Sequence, residues 1–238
     1  MKDLIKKILI FFLKVFFYKI LKQEINKDIN KIIELYKKDG FSSFFVKIRI
    51  WDSPFKETEK FVPKNGRILD LGCGDGFFSN YLAITSFERE VVGIELNKSR
   101  IKDANKGIKN TKFIPGNVLS VKFMKAEAVL LFHLLHHLPS YNDQIMLLKK
   151  SNNFIKPGGK LILVEVDKKP FLKYLFSYIT DSLIVPLLFD NKFVDPKIYY
   201  RDKNEWKKIM EELGFKVKVF KLDKSKPFSH VILIGTKN

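Results

Sequence analysis

The sequence predicts an α/β fold: a seven-stranded, largely parallel sheet covered by helices on both faces and closed by an antiparallel hairpin. Three observations predict it. Short apolar runs bounded by Gly, Pro or polar residues alternate with helical patterns between residues 67 and 166. The first run leads directly into a glycine-rich bend, Gly72 to Gly76. Two apolar runs near the carboxyl end are joined by a loop short enough for an antiparallel pair.

Composition bounds the rest. The 238 residues are 46% hydrophobic and include 23 Phe, enough for a full core, and a charged fraction of 29% excludes a disordered chain. The single cysteine, Cys73, cannot close an intramolecular disulfide, and no Cys/His cluster has zinc-site spacing, so a reducing, cytoplasmic setting without a metal is expected. The formal net charge is +18, but only five of the basic residues are Arg (49, 67, 89, 100 and 201). Nucleic-acid recognition, which favours the bidentate guanidinium, is therefore a weak expectation.

Taken in order, residues 2 to 38 read as two helices with a break near Gln23, and Gly40 closes the second as the residue just past its end. Residues 41 to 60 are mixed, with Ser42 or Ser43 as an N-cap and Pro54 as a break; Pro63, Asn65 and Gly66 form a turn. RILDL (67 to 71), VVGIEL (91 to 96), KFIP (112 to 115), AVLLF (128 to 132) and KLILVEV (160 to 166) are buried-strand candidates. Helices are predicted near 77 to 86, 98 to 107 and 140 to 154. An aromatic-rich cap, about 168 to 200, interrupts the alternation and is broken by Pro170, Pro186 and Pro196. A helix ending at Gly214 and the strands FKVKVFKL and SHVILIGTK complete the chain.

The chain divides into a main domain (41–238) and, before it, an N-terminal unit (1–40). Its longest nearly uncharged stretch, Ile8 to Tyr18, is interrupted by Lys14. As a helix it would cover roughly 16 Å against about 30 Å of hydrocarbon. It is too short to span. Asp3, Lys7 and Lys14 share one helical face, Lys6 lies beside it, and apolar residues cover the rest, as in a helix lying in a membrane interface. Packing of that face on the protein's own core explains the pattern equally well.

Glycines at the bend after the first strand permit positive φ and close approach of a ligand to backbone N–H groups at a helix start. A dinucleotide fingerprint would need glycine at 77, where Phe77 stands. Glu95 ends the next strand nineteen residues after Gly76, where a carboxylate can accept from both ribose hydroxyls. With ILDLGCGDG, VVGIELN, PGNV, LLFHLLHHLP and IKPGGKLILVEV in that order, the sequence resembles the class I S-adenosylmethionine-dependent methyltransferases, of the type 11-like kind, over about 67 to 166. The resemblance implies a Rossmann-like seven-stranded methyltransferase sheet and S-adenosyl-L-methionine as cofactor. It implies that Gly72, Gly74 and Gly76 border the methionine and ribose of that cofactor, with Cys73 filling the turn and Asp70 supporting it. Glu95 would hold the ribose and Leu96 would pack on adenine. Asn117 stands where the family usually has an acidic residue; its side-chain oxygen can still accept from the adenine amino group.

His133, His136 and His137 lie just after the fourth strand, at the edge where such sheets bind ligands, and are the candidate bases for an acceptor that must lose a proton. His133 is the first choice, and His230 reads as structural. Phe171, Tyr174, Phe176, Tyr178, Leu187, Phe189, Tyr199 and Tyr200 form an aromatic lid suited to an apolar acceptor. With the basic, apolar start this favours a membrane-associated or hydrophobic small molecule (a lipid headgroup, quinone or polyprenyl-type compound) and peripheral docking on an anionic cytoplasmic surface. Two other readings stay open: an RNA methyltransferase, and a non-catalytic cofactor-binding protein of the same fold.

Overall fold

Each inner strand of the sheet is apolar on both faces, and this makes it a buried strand rather than an amphipathic one. β1 (Gly66–Leu71) sends Leu69 and Leu71 to one face and Ile68 to the other. β4 (Ala126–Phe132) separates Val129 and Leu131 from Ala128 and Leu130, and β5 (Ile155–Val166) separates Leu161 and Leu163 from Ile162 and Val164. The remaining strands are β2 (Arg89–Glu95), β3 (Thr111–Pro115), β6 (Phe215–Leu222) and β7 (His230–Lys237). The computed structural model describes residues 27–36, 40–184, 198–222 and 226–238.

The strand order is β3-β2-β1-β4-β5-β7-β6. β1 to β5 are parallel, and β7 runs antiparallel between β5 and β6. The order reverses between β1 and β4, so the bend after β1 and the histidines after β4 emerge side by side at a topological switch point. Antiparallel pairing has a second consequence: Val166, the last residue of β5, lies opposite His230, the first of β7. The amino end of β7 therefore sits at the carboxyl edge of the parallel strands.

The helices are α1 (Lys27–Leu35), α2 (Gly40–Asp52), α3 (Phe55–Glu59), α4 (Phe77–Thr85), α5 (Lys98–Ala104), α6 (Tyr141–Phe154), α7 (Phe171–Ile179) and α8 (Lys203–Glu212). On one face of the sheet α6 and α8 bury Leu147, Leu148, Trp206 and Met210; on the other α1, α3 and α4 bury Ile29, Ile32, Phe55, Phe78 and Leu82. Helices thus cover both faces, as expected.

Three expectations need correction. Gly40 opens α2 rather than closing α1, and α2 runs through the region where a serine N-cap was expected. Pro54 sets its end instead, because the residue before a proline is pushed out of the helical region. The 98 to 107 helix stops at Ala104, where Asn105 turns extended and Gly107 takes φ +72°. Within the 1–40 unit, α1 is core: Ile29, Ile32, Ile33 and Tyr36 are all buried. The expected helix over 2–22, the break near Gln23, and Pro186, Leu187, Phe189 and Pro196 of the cap lie outside the described residues. Among the described residues no helix is long and apolar enough to cross a membrane.

Candidate active site

All three glycines of the bend adopt positive φ: +72° at Gly72, +58° at Gly74 and +72° at Gly76. An L side chain is strained there whatever the space. The space itself differs among them. A Cβ on Gly72 would lie 2.5 Å from Leu134 Cδ1 and one on Gly76 2.6 Å from Ala104 Cβ, whereas one on Gly74 would meet nothing within 4 Å. Gly72 and Gly76 are glycines for packing, and Gly74 faces open space. The N–H groups of Gly72 and Cys73 donate to the Ile94 carbonyl, at 2.7 and 3.1 Å, which ties the bend to β2.

Carboxylates brace this loop. Glu95 accepts from the Gly74 N–H at 3.1 Å and from the Asn97 N–H at 2.8 Å, so it links the bend to the cap of α5. Leu96 beside it is a large apolar side chain left 69% exposed. Asp70 is buried and accepts from Ser79 Oγ of α4 at 2.5 Å. Burial, reinforced by Glu95 and only partly offset by Ser79, pushes its carboxyl up to about 6. Asn117 is exposed past the end of β3, and its Oδ1 already accepts from the Leu119 N–H at 2.9 Å. Cys73 is buried, its sulfur against Gly93, and burial raises its thiol far above the reactive range.

The sequence reading missed a network below the bend. Asp75 pairs with Arg49 of α2 at 2.7 Å and accepts from the Phe77 N–H, and its carbonyl accepts from Tyr36 Oη at 2.7 Å. Burial works against the Asp75 charge, but Arg49 outweighs it and holds the carboxyl below its ordinary value. Asn80 Nδ2 in turn donates to Tyr36 Oη at 2.6 Å. Arg49 and Tyr36 stand outside the region of family resemblance, so spacing gave no signal for them.

The three histidines after β4 occupy three environments. His133 is half-buried, takes φ 50° and donates its N–H to Val164 O at 2.9 Å. That left-handed conformation costs on the order of 1 to 3 kcal/mol and persists only where the surroundings impose it. Burial, together with His230, His136, His137 and Arg49 around it, holds the ring well below its ordinary pKa. His136 is fully buried: Nδ1 bonds Glu165, Nε2 lies 3.7 Å from Asp181, and the ring stacks on Tyr200 at 4.8 Å. Burial opposes its charge, but Glu165 and Asp181 outweigh that and raise it. His137 is exposed at the rim. The bend and His133 are brought together, since Leu134 packs against Gly72. Glu165 was detectable in the sequence as the one carboxylate in an otherwise apolar run, LILVEV.

The described part of the cap lies over the same edge. Phe176 of α7 packs 5.5 Å from Phe228, Phe228 sits edge-on to His230, and Tyr174 packs edge-on to Tyr200. On the same helix Phe171 and Leu172 are 66% and 77% exposed, and Leu175 and Phe176 are partly so.

A switch-point sheet, a positive-φ glycine bend with open space before Gly74, and an acidic strand end define a class I S-adenosylmethionine-dependent methyltransferase. Residues 48–218 match the family described as "Methyltransferase domain", and the chain belongs to it. Demethylmenaquinone methyltransferase of Staphylococcus carnosus is 22% identical over 211 residues, 82% of this chain and 86% of that one. Among solved structures, a SAM-dependent methyltransferase from Methanosarcina mazei superposes with a TM-score of 0.59 at 20% identity, over 77% of this chain and 97% of that one. One from Aquifex aeolicus gives 0.60 at 17% identity, over 90% and 100%. These two likenesses concern the fold. The protein is a methyltransferase that uses S-adenosylmethionine.

Proposed function

We propose that the chain methylates a hydrophobic small molecule carrying an ionisable hydroxyl, of the quinol type, and that His133 takes the acceptor's proton. The observation that carries the acceptor class is the row Phe171, Leu172, Leu175 and Phe176, open on α7 above the histidine edge. Such a row suits an apolar acceptor better than a polyanion. The similarity to demethylmenaquinone methyltransferase supports the same class.

In this reading Gly72, Gly74 and Gly76 border the methionine and ribose, and Glu95 keeps lone pairs beyond its two backbone bonds for the ribose hydroxyls. Leu96 covers adenine, Asn117 offers its remaining acceptor capacity to the adenine amino group, Asp70 holds α4 to the bend, and Cys73 fills the turn. The bound cofactor supplies an activated methyl group on a sulfonium. The chain's own contribution is to orient the two partners, exclude water and receive a proton. His133 is neutral at neutral pH and can act as that acceptor. His136, locked between Glu165 and Asp181, and His137 at the rim are the other candidates.

The test uses methyl-labelled cofactor with a demethylated naphthoquinol in detergent, with total RNA, and with a short water-soluble phenol. Labelled quinol is the expected product, and His133→Ala should lower its formation about a hundredfold with cofactor affinity unchanged. Glu95→Ala should weaken cofactor binding by about 1 to 3 kcal/mol and Gly74→Val should abolish it, both read by calorimetry. Label in RNA alone moves the acceptor to nucleic acid. Cofactor binding without any labelled product favours the non-catalytic reading.

A further inference from the structure

Two histidines and an aspartate from three distant parts of the chain meet in a line at the carboxyl edge of the sheet. His133 follows β4, His230 opens β7 and Asp52 ends α2. Nε2 of His133 lies 3.1 Å from Nδ1 of His230, and Nε2 of His230 lies 3.1 Å from Oδ2 of Asp52. The two rings are nearly parallel, tilted by only 17°, with centroids 4.9 Å apart. His230 and Asp52 are buried, whereas His133 is partly open. Oδ1 of Asp52 has no hydrogen-bond partner among the described residues, so the carboxylate is committed to His230. Lys226 Nζ donates to the carbonyls of Trp51 and Asp52, at 3.0 and 2.7 Å, and so fixes the end of α2.

Donor and acceptor bookkeeping then orders the protons. An ionised carboxylate only accepts, so His230 carries its proton on Nε2 and presents a bare Nδ1. That lone pair accepts from His133 Nε2, which leaves the bare nitrogen of His133 at Nδ1. We infer that Asp52 and His230 are positioning residues that hold His133 in its Nε2–H tautomer and leave its Nδ1 to receive the acceptor's proton. This rests on the reading of His133 as the base. The transfer breaks the methyl carbon–sulfur bond with the electron pair left on sulfur, forms a bond from that carbon to the acceptor, and releases one acceptor proton to Nδ1. The charge that His133 gains is then offset by Asp52 through His230. Without Asp52 it would face His230, His136, His137 and Arg49, groups that each oppose it.

The decisive measurement needs no acceptor. In full-length protein labelled with ¹⁵N in its histidines, with signals assigned by single substitutions, His133 should show a protonated Nε2 and a bare Nδ1 at neutral pH. The opposite tautomer overturns the inference. Kinetics of quinol methylation add a second readout. Asp52→Asn and His230→Ala should each lower kcat tenfold or more with cofactor affinity unchanged, and Asp52→Asn should displace the acid limb of the pH profile to lower pH. His230→Asn, which keeps an acceptor for His133 Nε2–H, should retain more activity than His230→Ala. An unmoved kcat in both Asp52→Asn and His230→Ala, with an unmoved acid limb in Asp52→Asn and normal cofactor binding, overturns the inference. If the wild type methylates no quinol, the acceptor reading fails, and the ring-nitrogen signals still decide the tautomer.

Discussion

Asp70 shows how a single side chain can trade stability for a site. It is buried at the end of β1, with one hydrogen bond from Ser79 and Glu95 nearby, and its carboxyl is pushed up to about 6 from an ordinary 3.8. A group raised on folding contributes stability below its unfolded value and loses it as pH climbs through the folded one. At pH 7.5 the folded protein therefore carries an under-compensated buried charge. Asp70→Asn keeps an acceptor for Ser79 and should gain up to about 3 kcal/mol in urea unfolding at pH 7.5, a gain that shrinks as pH falls toward 4. An equal effect at both pH values would show that the charge is not the cause. At this scale the site was partly legible. The glycine run and Glu95 announce themselves by spacing, and His133 by its place at a strand end. The bond from His133 to His230 did not, because it arises from where β7 inserts in the sheet, and no local pattern encodes strand order; nor did the left-handed backbone of His133.

Among the elements, one buried guanidinium ties a helix that precedes the sheet, and one that follows its first strand, to its second strand. Arg89 opens β2 and is 1% exposed, yet it donates to Pro63 O, Val62 O, Leu82 O, Thr85 Oγ1 and Glu59 Oε1, all within 3.1 Å. It thereby joins α3, the turn after it, and the end of α4. Arg89→Lys cannot reproduce that fork and leaves Glu59 with a poorer partner, so a loss of about 3 to 5 kcal/mol is expected, read as a lowered denaturation midpoint. Burial opposes the Glu59 charge, but Lys64 and Arg89 outweigh it and hold the carboxyl below its ordinary 4.5. A lowered carboxylate contributes stability above the unfolded value and loses it as pH falls through the folded one. The acid-side drop in Tm should therefore be shallower in the variant. Most of this layer could be read in advance: β1, β2, β4, β5 and β7 are visible as β-branched and aliphatic runs buried on both faces, and β6 as apolar residues alternating with Lys216 and Lys218. The start of β2 at Arg89 and the run of α2 from Gly40 could not be read, since tertiary partners override the local cues there.

For the whole molecule the open question is where its charge and its exposed apolar surface are used. A formal net charge of +18, with lysine supplying all but five of the 44 Lys and Arg residues, favours anionic surfaces, and α7 exposes Phe171 and Leu172 at the edge where the acceptor would enter. We propose that residues 1 to 22 dock the enzyme on an anionic membrane. An interfacial helix there would put its apolar face into the acyl boundary and keep Lys2, Lys6, Lys7, Lys19 and Lys22 near headgroups, each worth on the order of 1 kcal/mol, against the single Asp3. Lys14 decides between docking and spanning. At the centre of a transmembrane helix it would cost about 2.5 to 3.5 kcal/mol, whereas in an interface it shares the wet stripe with Lys7. The measurement is sedimentation with vesicles, comparing the full chain with one that begins near Lys22, with and without anionic lipid and at low and high salt. The full chain should pellet with anionic vesicles at low salt and be released by high salt to the extent that lysines rather than apolar burial hold it. The shortened chain should stay in the supernatant with its Tm and cofactor affinity intact. If both chains stay in the supernatant and the shortened one melts earlier, residues 1 to 22 belong to the protein's own packing, and the acceptor must reach the α7 edge from solution.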